Sequence, residues 1–202
     1  MVIRAAPMEL TGRRLMLRPL NAGDFDGWRD VRRRCREWLV KWEPRPAPGH
    51  ADPSEDRNAF AARCGARERD RQMGSGFGFG IFVDGRVAGE INLSSIQRGP
   101  FQNAYVGYWI DEALAGRGYM PEAVVVMLRF AFEELGLHRV QIAIIPRNRP
   151  SRRVVEKLEL RDEGTAARYL EINGVWEDHV RYAITTEEWA VRGPRLLSTW
   201  IT

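Results

Sequence analysis

The chain has 202 residues, 44% of them hydrophobic, with 19 Gly and 11 Pro, which suits one compact domain and excludes wholesale disorder. Lys and Arg total 31 against 27 Asp and Glu, a net charge of +4; Lys41 and Lys157 are the only lysines. That balance permits an acidic partner such as RNA or a phosphorylated cofactor, but interspersed carboxylates make an arginine-rich solvated surface the simpler reading.

Leu15 to Leu20 reads as a first strand, stopped by Pro19. Asn21 and Asp24 are candidate caps for a helix from about Phe25 to Trp42, with Phe25, Trp28, Val31 and Cys35 on one face. Four prolines between Pro44 and Pro53 impose a loop, and Ser54 opens a second helix that buries Phe60 and Cys64. Gly74 to Gly80 leads into a strand at Ile81, Asp84-Gly85 is a hairpin turn, and Val87 to Ile96 returns. A strand from Ala104 to Ile110 follows, then a turn-rich connection and a helix from Met120 to Leu135 stopped by Gly136. Val140 to Ile145 has the β-branched composition of a strand buried on both faces. Arg149 to Leu158 is a short helix; strands around Tyr169 and from Trp176 to Ile184 flank the turn Asn173-Gly174. Thr185 and Glu188 have capping-box spacing, opening a C-terminal extension that either packs on the sheet or enters a dimer contact. The order predicts a single α/β domain over 1–202, as monomer or homodimer, with a partly parallel sheet.

Cys35 and Cys64 make neither a disulfide framework nor a zinc-ligand spacing, and His50, His138 and His179 are scattered, so no metal is expected. Met1 to Met8 lacks an apolar core of signal-peptide length, and the strongest apolar run, Ala123 to Leu128, meets Arg129. A soluble cytoplasmic protein with no membrane partner is the expectation.

Chemistry concentrates between Tyr108 and Ala123. A strand ends, a turn with Gly116 and Gly118 follows, and a helix opens with Pro121 in its first turn. Helix N-termini carry unpaired N–H groups and partial positive charge, and glycines let an anion approach them; Arg117 adds charge. No Lys-Ser/Thr follows the glycines, which excludes a Walker-type nucleotide loop, and Pro121 stands where a Rossmann fingerprint needs its third glycine. An ordinary strand-to-helix turn is the alternative that the turn alone leaves open.

The wider context resembles the GNAT superfamily of N-acetyltransferases, whose acetyl-CoA pyrophosphate loop reads Gln/Arg-x-x-Gly-x-Gly/Ala. Ala115-Gly116-Arg117-Gly118-Tyr119-Met120 matches it at Gly118 and departs from it at Ala115 and Met120. Within the superfamily, Thr11 to Leu20, Val106 to Ile110, Gly136 to Val140, Asn148 to Ser151, Arg153 to Leu158 and Tyr169 to His179 resemble the RimJ/RimL group of ribosomal-protein N-acetyltransferases. The resemblance covers nearly the whole chain. It implies a mixed, mostly antiparallel sheet with a splayed parallel strand pair and flanking helices. It also implies acetyl-CoA as cosubstrate and direct attack of an amine on the thioester.

From the resemblance, cofactor contacts are expected from the backbone near Trp109 and Ile110, from Ala115 through Met120, and from Asn148. Ser151, in the family's Asn-x-x-Ser, would lie near the sulfur and relay a proton to the departing thiolate; its alternative is a helix cap. Arg152 or Arg153 would reach the phosphates. The family's glutamate position is Tyr105 here, and another carboxylate position is Arg168. Glu90, sharing a strand face with Asn92 and Ser94, is therefore the candidate base, against a salt-bridged strand residue or a water chain. Trp38, Trp42 and Tyr169 are candidate walls of the acceptor pocket, although aromatics at helical spacing also suit a core. The acceptor implied is a protein N-terminus, most simply alanine of a ribosomal protein. A small amine or antibiotic is the second reading. A non-catalytic ribosome- or RNA-binding module using Arg29 to Arg36 is the third; that stretch lacks interleaved aromatics.

Overall fold

The computed structural model describes residues 9–45, 49 and 51–202; Pro46, Pro48 and His50 lie outside the described residues. One eight-stranded sheet has the order β1-β2-β3-β4-β5-β6-β8-β7. Its strands are β1 Leu10–Thr11, β2 Leu15–Arg18, β3 Phe77–Val83, β4 Arg86–Gln97, β5 Asn103–Ile110, β6 Arg139–Ile144, β7 Arg161–Ile172 and β8 Val175–Thr185. The helices are α1 Phe25–Arg34, α2 Arg36–Leu39, α3 Arg57–Met73, α4 Tyr119–Arg129, α5 Arg149–Lys157 and α6 Thr186–Trp200. Every neighbouring pair is antiparallel except β5–β6, which pairs only over Asn103↔Arg139, Ala104↔Val140 and Tyr105↔Gln141. Beyond Tyr105 the two parallel strands part.

Alternation gives the sheet two different faces. Ala104, Val106 and Ile110 of β5, Val140, Ile142 and Ile144 of β6, and Val180, Tyr182 and Ile184 of β8 join α4 in the main core. Residues Ala123 to Leu128 of α4 are wholly buried. The helix continues through a π-helical turn, Phe130–Glu134, and Phe130 meets Phe77 and Phe79 edge-on. The opposite face carries Glu90, Asn92 and Trp109 beneath α1 and α3, with Phe25, Trp28 and Phe60 in a second core.

Local rules account for the turns. Asp84-Gly85 and Asn173-Gly174 both have positive φ at both residues, as a two-residue hairpin turn demands. Asn21 and Asp24 form a capping box, but on a 3₁₀ turn, Ala22–Asp24, that precedes α1. The long first helix does not run to Trp42. It breaks at Cys35, whose thiol donates to Asp111 Oδ1 at 3.3 Å and receives the Glu112 N–H at 3.4 Å. The second helix opens at Asp56, not Ser54: the Asp56 carboxylate takes the Asn58 and Ala59 N–H groups, while Ser54 turns to Asp52. Thr185 and Glu188 do form a capping box, and α6 packs Trp189 and Leu196 into the core against α4. Among the described residues, no helix is long and apolar enough to cross a membrane.

The arginines of the first helices are tied down. Arg29 pairs with Asp26 and Asp30, Arg32 with Glu43, Arg33 with Glu55, and Arg34 with Asp111. A free basic stripe for nucleic acid, the third sequence reading, loses most of its charge to these partners.

Candidate active site

Where β5 and β6 part, the edge of β5 after Tyr105 faces a cleft of about 470 Å³. Its walls come from three places: Trp109 and Ile110 at the end of β5, Ala115, Gly116 and Gly118 to Pro121 around the start of α4, and Asn148 with Ser151, Arg153 and Lys157 at α5. Trp38, Trp42 and Glu43 close the far side.

At one end lies the glycine loop. Gly116 (φ 78°) and Gly118 (φ 87°) both take left-handed backbone, open to glycine and strained for other residues. The Ala115 and Arg117 N–H groups are used inside the loop, by the Glu112 and Leu114 carbonyls. Those of Gly116, Gly118, Tyr119 and Met120 have no protein partner among the described residues. Four free donors at the positive end of α4, with the Arg153 and Lys157 side chains across the cleft, suit a pyrophosphate. Arg117 itself is exposed and contributes its carbonyl to Arg14 Nη1 at 3.0 Å.

That loop is braced by residues the sequence did not mark. Glu122, fully buried in the first turn of α4, accepts the Arg14 N–H at 2.6 Å and Arg14 Nε at 2.9 Å. The Arg14 guanidinium also lies over the Tyr119 ring, 4.6 Å from its centre. No local pattern links Arg14 to Glu122 across 108 positions; only the fold brings the turn between β1 and β2 onto the helix start.

Midway along the cleft, Asn148 caps α5, its Oδ1 accepting the Ser151 N–H at 3.3 Å. Ser151 is therefore not the cap. Its hydroxyl donates instead to the Tyr108 hydroxyl at 3.0 Å, and Tyr108 donates onward to the Ser151 carbonyl at 3.2 Å. Burial pushes the Tyr108 hydroxyl well above its ordinary pKa, against the smaller opposing effect of Ser151, so it stays protonated. Tyr108 is a site residue that the sequence reading missed, although the alternation of β5 puts its side chain on the α5 side. Of the two arginines after Ser151, Arg153 lines the cleft, while Arg152 turns to the Tyr182 hydroxyl at 3.0 Å.

Glu90 lies outside the walls of this cleft. Its carboxylate, 3% exposed, accepts Trp28 Nε1 at 2.7 Å, Trp109 Nε1 at 3.3 Å and Arg63 Nη2 at 2.6 Å. Three donors occupy three of its roughly four lone-pair sites. Trp38 and Trp42 stand on the cleft wall rather than in the core, with Lys41 over both rings and Arg147 over Trp42. Glu43 joins them, held bidentate by Arg32 at 2.6 and 2.7 Å. Tyr169 is not on that wall. It sits edge-on to His179, where the register of β7 slips around Arg168 (φ 46°). Burial and the neighbouring Tyr105 hydroxyl push the Tyr169 hydroxyl upward.

A parallel pair that parts beside an anion cradle, with a serine–tyrosine hydroxyl pair between, suits coenzyme-A-dependent acyl transfer. Residues 14–161 match the acetyltransferase (GNAT) domain family, and the chain belongs to that family of N-acetyltransferases. It is 34% identical over 186 residues to the [ribosomal protein uS5]-alanine N-acetyltransferase of Escherichia coli, covering 90% of this chain and 93% of that protein. A probable N-acetyltransferase of Bacillus subtilis, YjcK, is 35% identical over 177 residues, covering 87% of this chain and 96% of the relative. Among solved structures, Mycobacterium smegmatis RimJ in complex with CoA-disulfide superposes with a TM-score of 0.87 at 28% identity, over 96% of this chain and 94% of that one.

Proposed function

We propose that this acetyltransferase modifies the N-terminal α-amine of a ribosomal protein, with alanine as the acceptor residue. The observation that carries the proposal is the continuity of one cleft, from the four free N–H groups of the glycine loop, past the parting strands, to a wall of Trp38, Trp42 and Trp109. The similarity to the E. coli uS5-alanine enzyme over nine-tenths of the chain supports the same acceptor class.

Acetyl-CoA supplies an activated acetyl thioester. The chain's residues do the rest. The N–H groups of Gly116, Gly118, Tyr119 and Met120, with Arg153 and Lys157, hold the phosphates. The unpaired edge of β5 from Val106 to Ile110 and the Asn148 amide orient the pantetheine arm. Ser151, positioned by its hydrogen bond to Tyr108, relays a proton from solvent in the open cleft to the departing thiolate, and Tyr108 stays protonated throughout. Glu90 acts as a positioning residue: it fixes the Trp28 and Trp109 indoles, and the ammonium proton leaves through solvent in the open cleft.

The test is thiol release from acetyl-CoA with peptides bearing N-terminal alanine, together with mass spectrometry of ribosomal proteins after incubation. A +42 Da shift on one ribosomal N-terminus, about the mass of one acetyl group, is the expected result. Release with small amines and none with any peptide would replace this acceptor with a small amine.

A further inference from the structure

The cleft carries charge of opposite sign at its two ends. Arg153 and Lys157 line it across from the glycine loop, whereas Glu43 lines it in the company of Trp38, Trp42 and Trp109. Among the described residues, Glu43 is the only Asp or Glu on the cleft wall. Two anchors put it there. A 3₁₀ turn, Val40–Trp42, follows α2 and ends at Glu43, whose backbone is extended (φ −117°, ψ 148°). The Glu43 carbonyl accepts the Asn173 N–H at 2.9 Å, and Arg45 Nε donates to Asn173 Oδ1 at 3.1 Å, so the β7–β8 hairpin tip fixes this stretch of chain. The Glu43 carboxylate is held by Arg32, which does not itself line the cleft. The same guanidinium lies 5.2 Å from the centre of the Trp109 ring, which ties the carboxylate to the end of the parted strand β5.

The pair with Arg32 does not exhaust this carboxylate. One bond to each oxygen leaves two of its roughly four lone-pair sites. Its side chain keeps 28% of its surface exposed. Nor does Arg32 answer Glu43 alone, since Glu90 and Asp52 also act on that guanidinium at longer range. The indoles add to the effect, because the face of an aromatic ring attracts a cation. Trp38 and Trp42 already do so: the Lys41 ammonium stands 5.6 and 5.5 Å from their ring centres, and the Arg147 guanidinium 5.5 Å from that of Trp42. Neither cation lines the cleft; Arg147 is paired with Glu177, and Lys41 is exposed, where solvent and salt screen its charge.

We infer that Glu43, with the indoles of Trp38, Trp42 and Trp109, forms the subsite that receives the acceptor's amine as its ammonium. The two ends of the cleft then sort the two substrates by charge, the polyanionic coenzyme at Arg153 and Lys157 and the cationic acceptor at Glu43. The inference rests on the proposed acetylation of a chain N-terminus and deepens it. The ammonium donates to the lone-pair sites that Arg32 leaves open, and it gives up its proton to solvent before it attacks the thioester. Glu43 is the binding group in this scheme and not the base, because Arg32 keeps it fixed in place.

The experiment compares a peptide that begins with alanine and its des-amino counterpart, in which a propionyl group replaces the alanyl residue. Alaninamide and propionamide form a second pair that lacks the peptide tail. Calorimetry on the CoA-loaded protein reads all four affinities without turnover. A charge-assisted bond should favour the ammonium peptide about ten- to hundredfold over the des-amino peptide. Glu43→Gln should bring that ratio to about one, and in thiol release its effect should fall chiefly on KM. Glu43→Asp keeps the charge but withdraws it by one methylene, and should retain part of the ratio. Because the amino group is removed from the peptide, wild-type protein alone tests the preference even if a variant folds poorly. Equal affinities for the two peptides in the wild type, or an unchanged ratio in Glu43→Gln, overturn the inference. A preference for alaninamide over propionamide that Glu43→Gln abolishes, with no binding or thiol release by peptides, would uphold Glu43 while replacing the peptide acceptor with a small amine.

Discussion

Gly118→Ala tests the glycine loop as the phosphate cradle. Gly118 sits at φ 87°, ψ 0° immediately before α4, a conformation that costs an L-residue about 1–2 kcal/mol. The added methyl group would also meet Arg14 Nη2 at 3.1 Å and Trp200 Cζ3 at 3.4 Å. The Arg14 contact is the end of a flexible side chain and can give way, so backbone strain dominates. A loop that relaxes to relieve about 1–2 kcal/mol re-aims the Tyr119 and Met120 N–H groups, which corresponds to roughly 5- to 30-fold weaker CoA binding. The melting temperature should fall by about 2–8 °C if the strain is kept instead. Calorimetry with CoA reads the first effect, and acetyl-pantetheine, which has no pyrophosphate, serves as the control whose affinity should not change. An equal loss of affinity for CoA and for acetyl-pantetheine would refute the cradle: the loop would then shape the cleft as a whole without holding the pyrophosphate.

Ser151→Ala should lower kcat by about 10²-fold with CoA affinity nearly unchanged, and Tyr108→Phe by less, since serine keeps its own proton; rapid-quench measurement of acetyl transfer separates the two. Gly89→Ala should destabilise the fold by more than about 3 kcal/mol in urea titration, because its methyl group would collide with the Trp109 carbonyl and stand 2.9 Å from Ile110 Cα, both backbone. Asp111 is held below the usual carboxylate range: burial pushes it up, but the Arg34 guanidinium, the Ala113 N–H and the Cys35 thiol together outweigh burial. A depressed folded-state pKa stabilises above the unfolded value and loses that contribution as pH falls through the folded one. Asp111→Asn should therefore be less stable than wild type at neutral pH, and the gap should close only below about pH 4; a gap constant from pH 7 to pH 3 would sink this account.

Much of the fold was readable because it is governed by local rules. Asp84-Gly85, Asn173-Gly174 and Gly136 each need positive φ, and the residues supplied are those that tolerate it. The start of α4 was legible for the same reason. What escaped was set by contacts between distant segments. The break at Cys35 depends on Asp111, 76 positions away, and nothing in the periodicity of residues 25–42 announces it. Glu90 shares a strand face with Asn92 as alternation requires, yet Trp28, Arg63 and Trp109 converge on its carboxylate from three other elements. Alternation fixes a face, not what covers it. Tyr108 was overlooked for the converse reason: its motif drew attention to backbone contacts, while its hydroxyl finds Ser151 only once α5 packs on β5.

The same distinction applies to the arginines and glycines that dominate the composition. Arg32, Arg33, Arg34 and Arg63 each answer a specific carboxylate, so their abundance buttresses the helices over one sheet face rather than forming a nucleic-acid surface. Glycine-rich β3 is the complement of that arrangement: Gly78 has no side chain because Arg67 of α3 crosses above it. Composition alone gives these glycines no purpose, since no helix follows to make them a phosphate loop. In register, Gly78 and Gly107 flank Asn92 on the sheet face opposite α4. Charge that is neutralised within the chain supports the fold, and a count of arginines cannot tell it from charge left free to meet a partner.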